Sequence, residues 1–119
     1  MTGTAARLCG VALAAAAVAL ALMTHGIVVV TGGSMEPALS PGDVCVYRRA
    51  RTVLPGSVVV FERAGGRGLV VHRALWAGPR GELRTRGDAN SVQDPSVVQA
   101  ADVRGPVVLT IRVGDLRGR

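Results

Sequence analysis

The sequence predicts a mainly β protein: a small antiparallel sheet or partly closed barrel, preceded by one N-terminal transmembrane helix. Residues 8–30 run for 23 positions without a formal charge at neutral pH, enough to cross a bilayer, which takes about 20 apolar residues. Beyond residue 30 no helical period of useful length appears. In its place come short β-branched runs separated by turn signals, the pattern of a small antiparallel sheet or barrel. The expected division is a membrane anchor over 1–30 and a β domain over 31–119. The 119 residues suffice for one folded domain and not two.

Composition narrows the function classes. Apolar residues make up 49%, with one Phe, one Tyr and one Trp, so the core is built from Val, Leu and Ala, and disorder is excluded at this hydrophobicity. The net charge is +6, and all 14 lysine-plus-arginine positions are arginine. A skew to Ala, Arg, Gly and Val follows from GC-rich coding, and scarce aromatics leave little for base stacking, so no nucleic-acid partner is expected. Without lysine, no mechanism that needs a lysine base can run. Cys9 in the apolar run and Cys45 in an expected strand are read as unpaired packing residues.

Within the anchor, "LCGVALAAAAVALALM" (8–23) is alanine-rich. A cleaved signal peptide is the competing reading, but its apolar region would be long and the following "MTHG" is a poor cleavage site. Arg7 and the amino terminus flank one side, and the next arginine is Arg48. That asymmetry favours the N-terminus inside and the remainder outside. His25, near the end of the run, reads as an interfacial residue.

The expected strands are "DVCVYR" (43–48), "SVVVFE" (57–62), "LVVHRALW" (69–76), "ELRTR" (82–86) and "PVVLTIRV" (106–113). Leu54-Pro55-Gly56, "RAGGRG" (63–68) and "AGPRG" (77–81) turn the chain between them, and "GDANSVQDP" (87–95) is a loop with two carboxylates. The final "GDLRGR" reads as a solvated tail.

Chemistry past the anchor is sparse. One histidine remains, His72, with no second His and no CxxC, so neither a zinc site nor another cofactor is expected. Nucleophilic catalysis needs only a hydroxyl, a base and a group that orients the base. Ser34 in "GGSMEPALSPGD" can be the first, His72 the second, and Asp88 or Asp94 the third. Each has an ordinary explanation taken singly: a turn serine, a structural histidine, two turn-closing carboxylates. Gly32 and Gly33 allow close backbone approach and unusual dihedrals at Ser34, while Pro37 stiffens the turn. Amides near Ser34 can then serve an oxyanion hole. Met35 is expected to pack inward.

These residues resemble the type I signal peptidases, membrane-anchored serine proteases that remove signal peptides. "GSMEPALSPGDV" is similar to the family's nucleophile box, "PGSVVVF" to its Pro-Gly-Asp strand with Ser57 in place of Asp, "VVHRAL" to the general-base box and "TRGDANSVQDP" to the Gly-Asp-Asn-Asn…Asp segment. All four occur in family order between about residues 28 and 108. His72 stands where one branch of the family has lysine, which makes the chain similar to the endoplasmic-reticulum and archaeal branch. The resemblance implies Ser34 as nucleophile, His72 as general base, Asp94 as its orienting group and Asp88 as a second important carboxylate. It also implies signal-peptide-bearing precursors as substrates, with small residues one and three before the cut, contact with membrane lipid, and a possible partner subunit. The expected location is the cell membrane, single-pass, with the catalytic domain extracytoplasmic. Ala38 and Ala89 depart from the usual Thr and Asn, and Gly32 lacks a hydroxyl. A maturation protease for few precursors and a non-catalytic signal-peptidase-like subunit stay open as alternatives.

Overall fold

The computed structural model describes residues 3–116. Helix α1, Gly3–Thr24, carries Arg7 near its start, is apolar from Leu8 to Met23, and buries none of its residues against the rest of the chain. It is the one helix among the described residues long and apolar enough to cross a membrane. The amino terminus and residues 117–119 of the expected tail lie outside the described residues. Residues 114–116 of that tail fall in a short helix, α2, Val113–Leu116, which also takes in Val113 from the end of the expected last strand.

The end of the expected 1–30 anchor differs from the sequence reading. The helix stops at Thr24, whose hydroxyl donates back to the Leu20 carbonyl at 2.8 Å, and the chain passes directly into strand β1, His25–Val29. The reason is non-local. The β-branched run 27–30 has a partner edge in β2, Val44–Arg48, and pairs with it from His25↔Arg48 to Val29↔Val44. Gly26 lies against the Tyr47 ring, where a β-carbon would collide with the ring atoms, so the close approach of the two strands needs glycine at that point. The Arg49 amide also donates to the Thr24 carbonyl at 2.7 Å, tying the helix end to the sheet.

The remaining strands are β3 (Val58–Glu62), β4 (Leu69–Ala77), β5 (Leu83–Arg86) and β6 (Val103–Ile111). All pair antiparallel in one six-stranded sheet, ordered β1-β2-β6-β3-β4-β5. The sheet is not closed: β1 and β5 are its edges. The last strand begins three residues before the expected one and joins the two halves. Its C-terminal part pairs with β2 and its N-terminal part with β3.

Period-2 alternation splits the core. On β3, Val60 packs with Met35, Leu39, Cys45, Tyr47 and Val71, while Val59 and Phe61 pack with Ala74, Leu83, Val98 and Val103 on the other face. Two buried faces explain why this strand reads as a continuous apolar run. Cys45 is buried and free, as expected of a packing residue, with burial pushing its thiol pKa up. Cys9 is free but exposed on α1.

Candidate active site

Ser34 sits on the turn between β1 and β2. The turn is anchored from below: Met35 and Leu39 are buried in the core, and the Leu39 amide donates to the Met35 carbonyl at 2.9 Å. Further on, the Asp43 carboxylate accepts from the Ser40 amide at 2.9 Å, closing the Ser-Pro-Gly-Asp turn. Ser34 is thereby held half-buried at the edge of the core. Gly32 and Gly33 do not adopt left-handed dihedrals. Nothing lies within 4 Å of where a Gly32 side chain would begin, so the surroundings do not demand glycine there and that side of the turn is open. Among the described residues no hydrogen bond uses the Ser34 or Met35 amide.

The loop 87–90 buttresses the Ser34 turn from the opposite side. Its Ala89 amide donates to the Ser34 carbonyl at 2.8 Å, and its Asp88 amide lies 3.4 Å from the Met35 sulfur. A β-carbon on Gly87 would run into the Ser34 carbonyl and the Asn90 amide. Gly87→Ala is expected to push Ser34 out of line, lowering turnover about 10²-fold and the melting temperature with it. A variant with wild-type turnover would show that the two loops do not hold each other.

His72 lies on β4 and points the same way as Val70 and Ala74. Phe61 meets its ring edge-on at 6.3 Å. Nε2 is 3.0 Å from Ser34 Oγ and Nδ1 is 2.6 Å from Asp94 Oδ2. An ionised carboxylate offers only acceptors, so Nδ1 carries the proton and Nε2 presents its lone pair to the serine hydroxyl. Asp94 is delivered by a segment running along the free edge of β5. The Leu83 and Val98 backbones exchange two hydrogen bonds, and the Asp94 amide donates to the Thr85 carbonyl at 2.8 Å. The Thr85 hydroxyl donates to Asp94 Oδ2 at 2.7 Å.

The two carboxylates that the sequence left as alternatives part company. Asp88 does not meet His72 in a hydrogen bond. It takes a two-pronged ion pair from Arg73, Nε at 2.8 Å and Nη2 at 2.7 Å, geometry that suits guanidinium. These hydrogen bonds hold the Asp88 carboxyl below its ordinary range, against the opposing effect of burial, and the charges of Arg73, Arg86 and His72 add to the shift. The Arg73 guanidinium is raised in turn, chiefly by the same bonds. The sign for stability follows. A carboxyl depressed by folding stabilises the fold fully above the unfolded carboxyl range, and that contribution is lost as pH falls through the depressed value. Thermal melts from neutral pH into acid are expected to fall more steeply for wild type than for Asp88→Asn. Parallel curves would remove the pair from the acid response.

Arg73 and Thr85 were not singled out in the sequence. Arg73 adjoins the histidine in "VVHRAL" and Thr85 opens "TRGDANSVQDP", but the importance of each depends on which residue lies across from it. Among the described residues no group of three or more His, Cys, Asp or Glu side chains is placed to hold a metal ion.

Two clefts meet at His72. One of about 280 Å³ lies on the Asp94 side, floored by Phe61, Val70 and Val98. The other, of about 130 Å³, lies on the Ser34 side between Val29–Gly32 and Leu69–Val71. β5 pairs with β4 only from Arg73 onward, so Leu69–His72 keep one strand edge free beside this smaller cleft.

A hydroxyl, an imidazole and a carboxylate hydrogen-bonded in that order have the geometry of a serine-hydrolase site. No protein-family model matches the chain. Individual relatives do, and they are catalytic subunits of signal peptidase complexes. The SEC11 subunit of Candida tropicalis is 41% identical over 75 residues, covering 60% of this chain and 45% of the relative. That of Pyricularia oryzae is 35% identical over 98 residues, covering 71% and 57%. That of Yarrowia lipolytica is 42% identical over 74 residues, covering 59% and 43%. The chain is a homologue of these subunits, and the matches span about half of their length.

Proposed function

We propose that the chain is a membrane-bound serine endopeptidase that removes signal peptides from secreted precursors, with Ser34 as nucleophile. The observation that carries this reading is the unbroken line Ser34 Oγ–His72 Nε2 and His72 Nδ1–Asp94 Oδ2, in a chain similar to signal peptidase catalytic subunits.

His72 Nε2 takes the Ser34 proton as Oγ attacks the scissile carbonyl. Asp94 holds the ring in the correct tautomer and stabilises the imidazolium. The oxyanion forms beside the turn, where the Ser34 and Met35 amides are free to donate. His72 then passes its proton to the leaving amine, and water, deprotonated by the same nitrogen, hydrolyses the ester. Asp88 acts at one remove: with Arg73 it fixes the loop whose neighbouring amide holds the Ser34 carbonyl.

The smaller cleft suits an extended substrate. A strand laid between Val29–Gly32 and the free edge of β4 would gain backbone hydrogen bonds, with its scissile bond at Ser34. The small volume there favours small side chains before the cut. Membrane association is supported by α1 and by an exposed apolar face on the adjoining strands. Ile27, Val46 and Leu109 form one cross-strand row, and Val29, Val44 and Ile111 the next. Ile27 and Leu109 are 65% and 55% exposed. The reading places the chain in the cell membrane as a single-pass protein with the sheet domain outside, in contact with lipid and with a partner subunit, as the relatives' description as subunits of a complex suggests.

The test is cleavage of a signal-peptide-bearing precursor by the purified full chain in detergent, and again in native membranes. Wild type is expected to cut after a small residue and Ser34→Ala to leave the precursor intact. Equal inactivity of both in native membranes would make the chain a non-catalytic subunit.

A further inference from the structure

We propose that Thr85 is a positioning residue of this site, whose buried hydroxyl fixes the Asp94 carboxylate against His72 and thereby sets how readily the imidazole holds a proton. The proposal rests on the peptidase reading for its kinetic consequence, but its contact with Asp94 and His72 is independent of the substrate.

Thr85 is fully buried at 0% exposure, on β5 opposite Ala74. A hydroxyl there needs an acceptor, since an unmet buried donor is costly. Its side-chain partner among the described residues is Asp94 Oδ2, at 2.7 Å. That same oxygen receives the His72 Nδ1 proton at 2.6 Å, and the Thr85 carbonyl accepts the Asp94 amide at 2.8 Å. One residue thus holds both ends of the aspartate. A carboxylate turns on a soft terminal torsion with broad wells. With only the imidazole as partner it could swivel; a second donor on the same oxygen removes that freedom.

The second consequence is electrostatic. A hydroxyl donating to Oδ2 draws charge from the oxygen that faces the ring. Without it, the carboxylate attracts the imidazolium more strongly and His72 keeps its proton to higher pH. Other charges surround the pair. Arg73 and Asp88 neutralise each other beside it, with Arg86 close by. Glu62, paired with Arg104, and the rim residues Arg63 and Asp102 border the larger cleft, and Glu36 is exposed on the Ser34 turn. These are unchanged by substitution at 85, so a shift in the titration reports the hydroxyl.

The chain has two histidines, which makes the measurement simple. In a His25→Gln background, with ¹⁵N-labelled histidine and the full chain in detergent micelles, His72 is the single imidazole to titrate. Thr85→Val is expected to raise its protonation midpoint, to move the acid limb of precursor cleavage upward with it, and to lower kcat about tenfold at unchanged KM. Thr85→Ser, which keeps the hydroxyl and loses a methyl, is expected to restore the wild-type midpoint. A residue that only fills the core would give both variants reduced melting temperatures and an unmoved midpoint, and that result overturns the proposal. If wild type cleaves normally and the Thr85→Val midpoint stays put, Thr85 is dismissed while the peptidase reading stands. If wild type cleaves nothing, the peptidase reading fails, and the titration still decides whether Thr85 acts on the Asp94–His72 pair.

Discussion

His72→Ala is expected to lower cleavage of a signal-peptide-bearing precursor by at least about 10³-fold, with the sheet still folded. Among the described residues no other base hydrogen-bonds to Ser34: the chain has no lysine, and Asp94 reaches Ser34 only through His72. The backbone pairing Val59↔His72 that holds β4 in the sheet does not depend on the ring, so the variant is expected to fold. The base must also be neutral to act, so wild-type activity is expected to fall on acidification as the imidazole takes up a proton. Turnover within tenfold of wild type, or a flat profile between neutral and mildly acidic pH, would mean that another group accepts the Ser34 proton.

Asp94→Asn is expected to cost nearly as much, about 10³–10⁴-fold in kcat, although the side chain keeps its size. The amide loses the charge that stabilises the imidazolium. It can also turn its NH₂ toward Nδ1, which then has to accept. The proton moves to Nε2, where it blocks uptake of the serine proton. Asp88→Asn is the informative contrast. Asp88 is bound to Arg73 and makes no hydrogen bond to His72, so its loss is expected to appear mainly as lower stability and a looser Ser34 turn. Paired kinetics and melts of the two variants separate the roles; equal losses of kcat with equal melts would contradict the division.

Much of this site was legible in the sequence because its chemistry is scarce. One histidine past the apolar run and one serine between two glycines and a proline leave few combinations, and strand positions follow from β-branched runs between turn signals. From the residues alone the division between Asp88 and Asp94 was not legible; only the family resemblance pointed to Asp94 as the orienting group. Both lie in one loop six residues apart, and each has the chemistry to orient an imidazole. Only the pairing of 94–98 with the edge of β5 carries Asp94 to His72, and only the register Arg73↔Arg86 brings Arg73 next to the loop that holds Asp88.

The strand at 25–29 was hidden for a related reason. Its apolar residues continue the hydropathy of α1, and the local change to Gly26 and a β-branched run is too short to mark helix from sheet. Its conformation is set by β2, from which it is separated by the Ser34 turn. The insertion of β6 between β2 and β3 is likewise a property of pairing over more than forty residues of chain. By itself the sequence determined what is local: an apolar helix, alternating strands, a constrained serine and a single histidine past the apolar run. The tertiary structure alone decided what depends on hydrogen-bond register: which carboxylate meets the imidazole, that Thr85 holds that carboxylate, and that the sheet stays open beside Ser34. Hydropathy and turn chemistry act over a few residues, whereas register is fixed only when distant strands pack their alternating faces into one core.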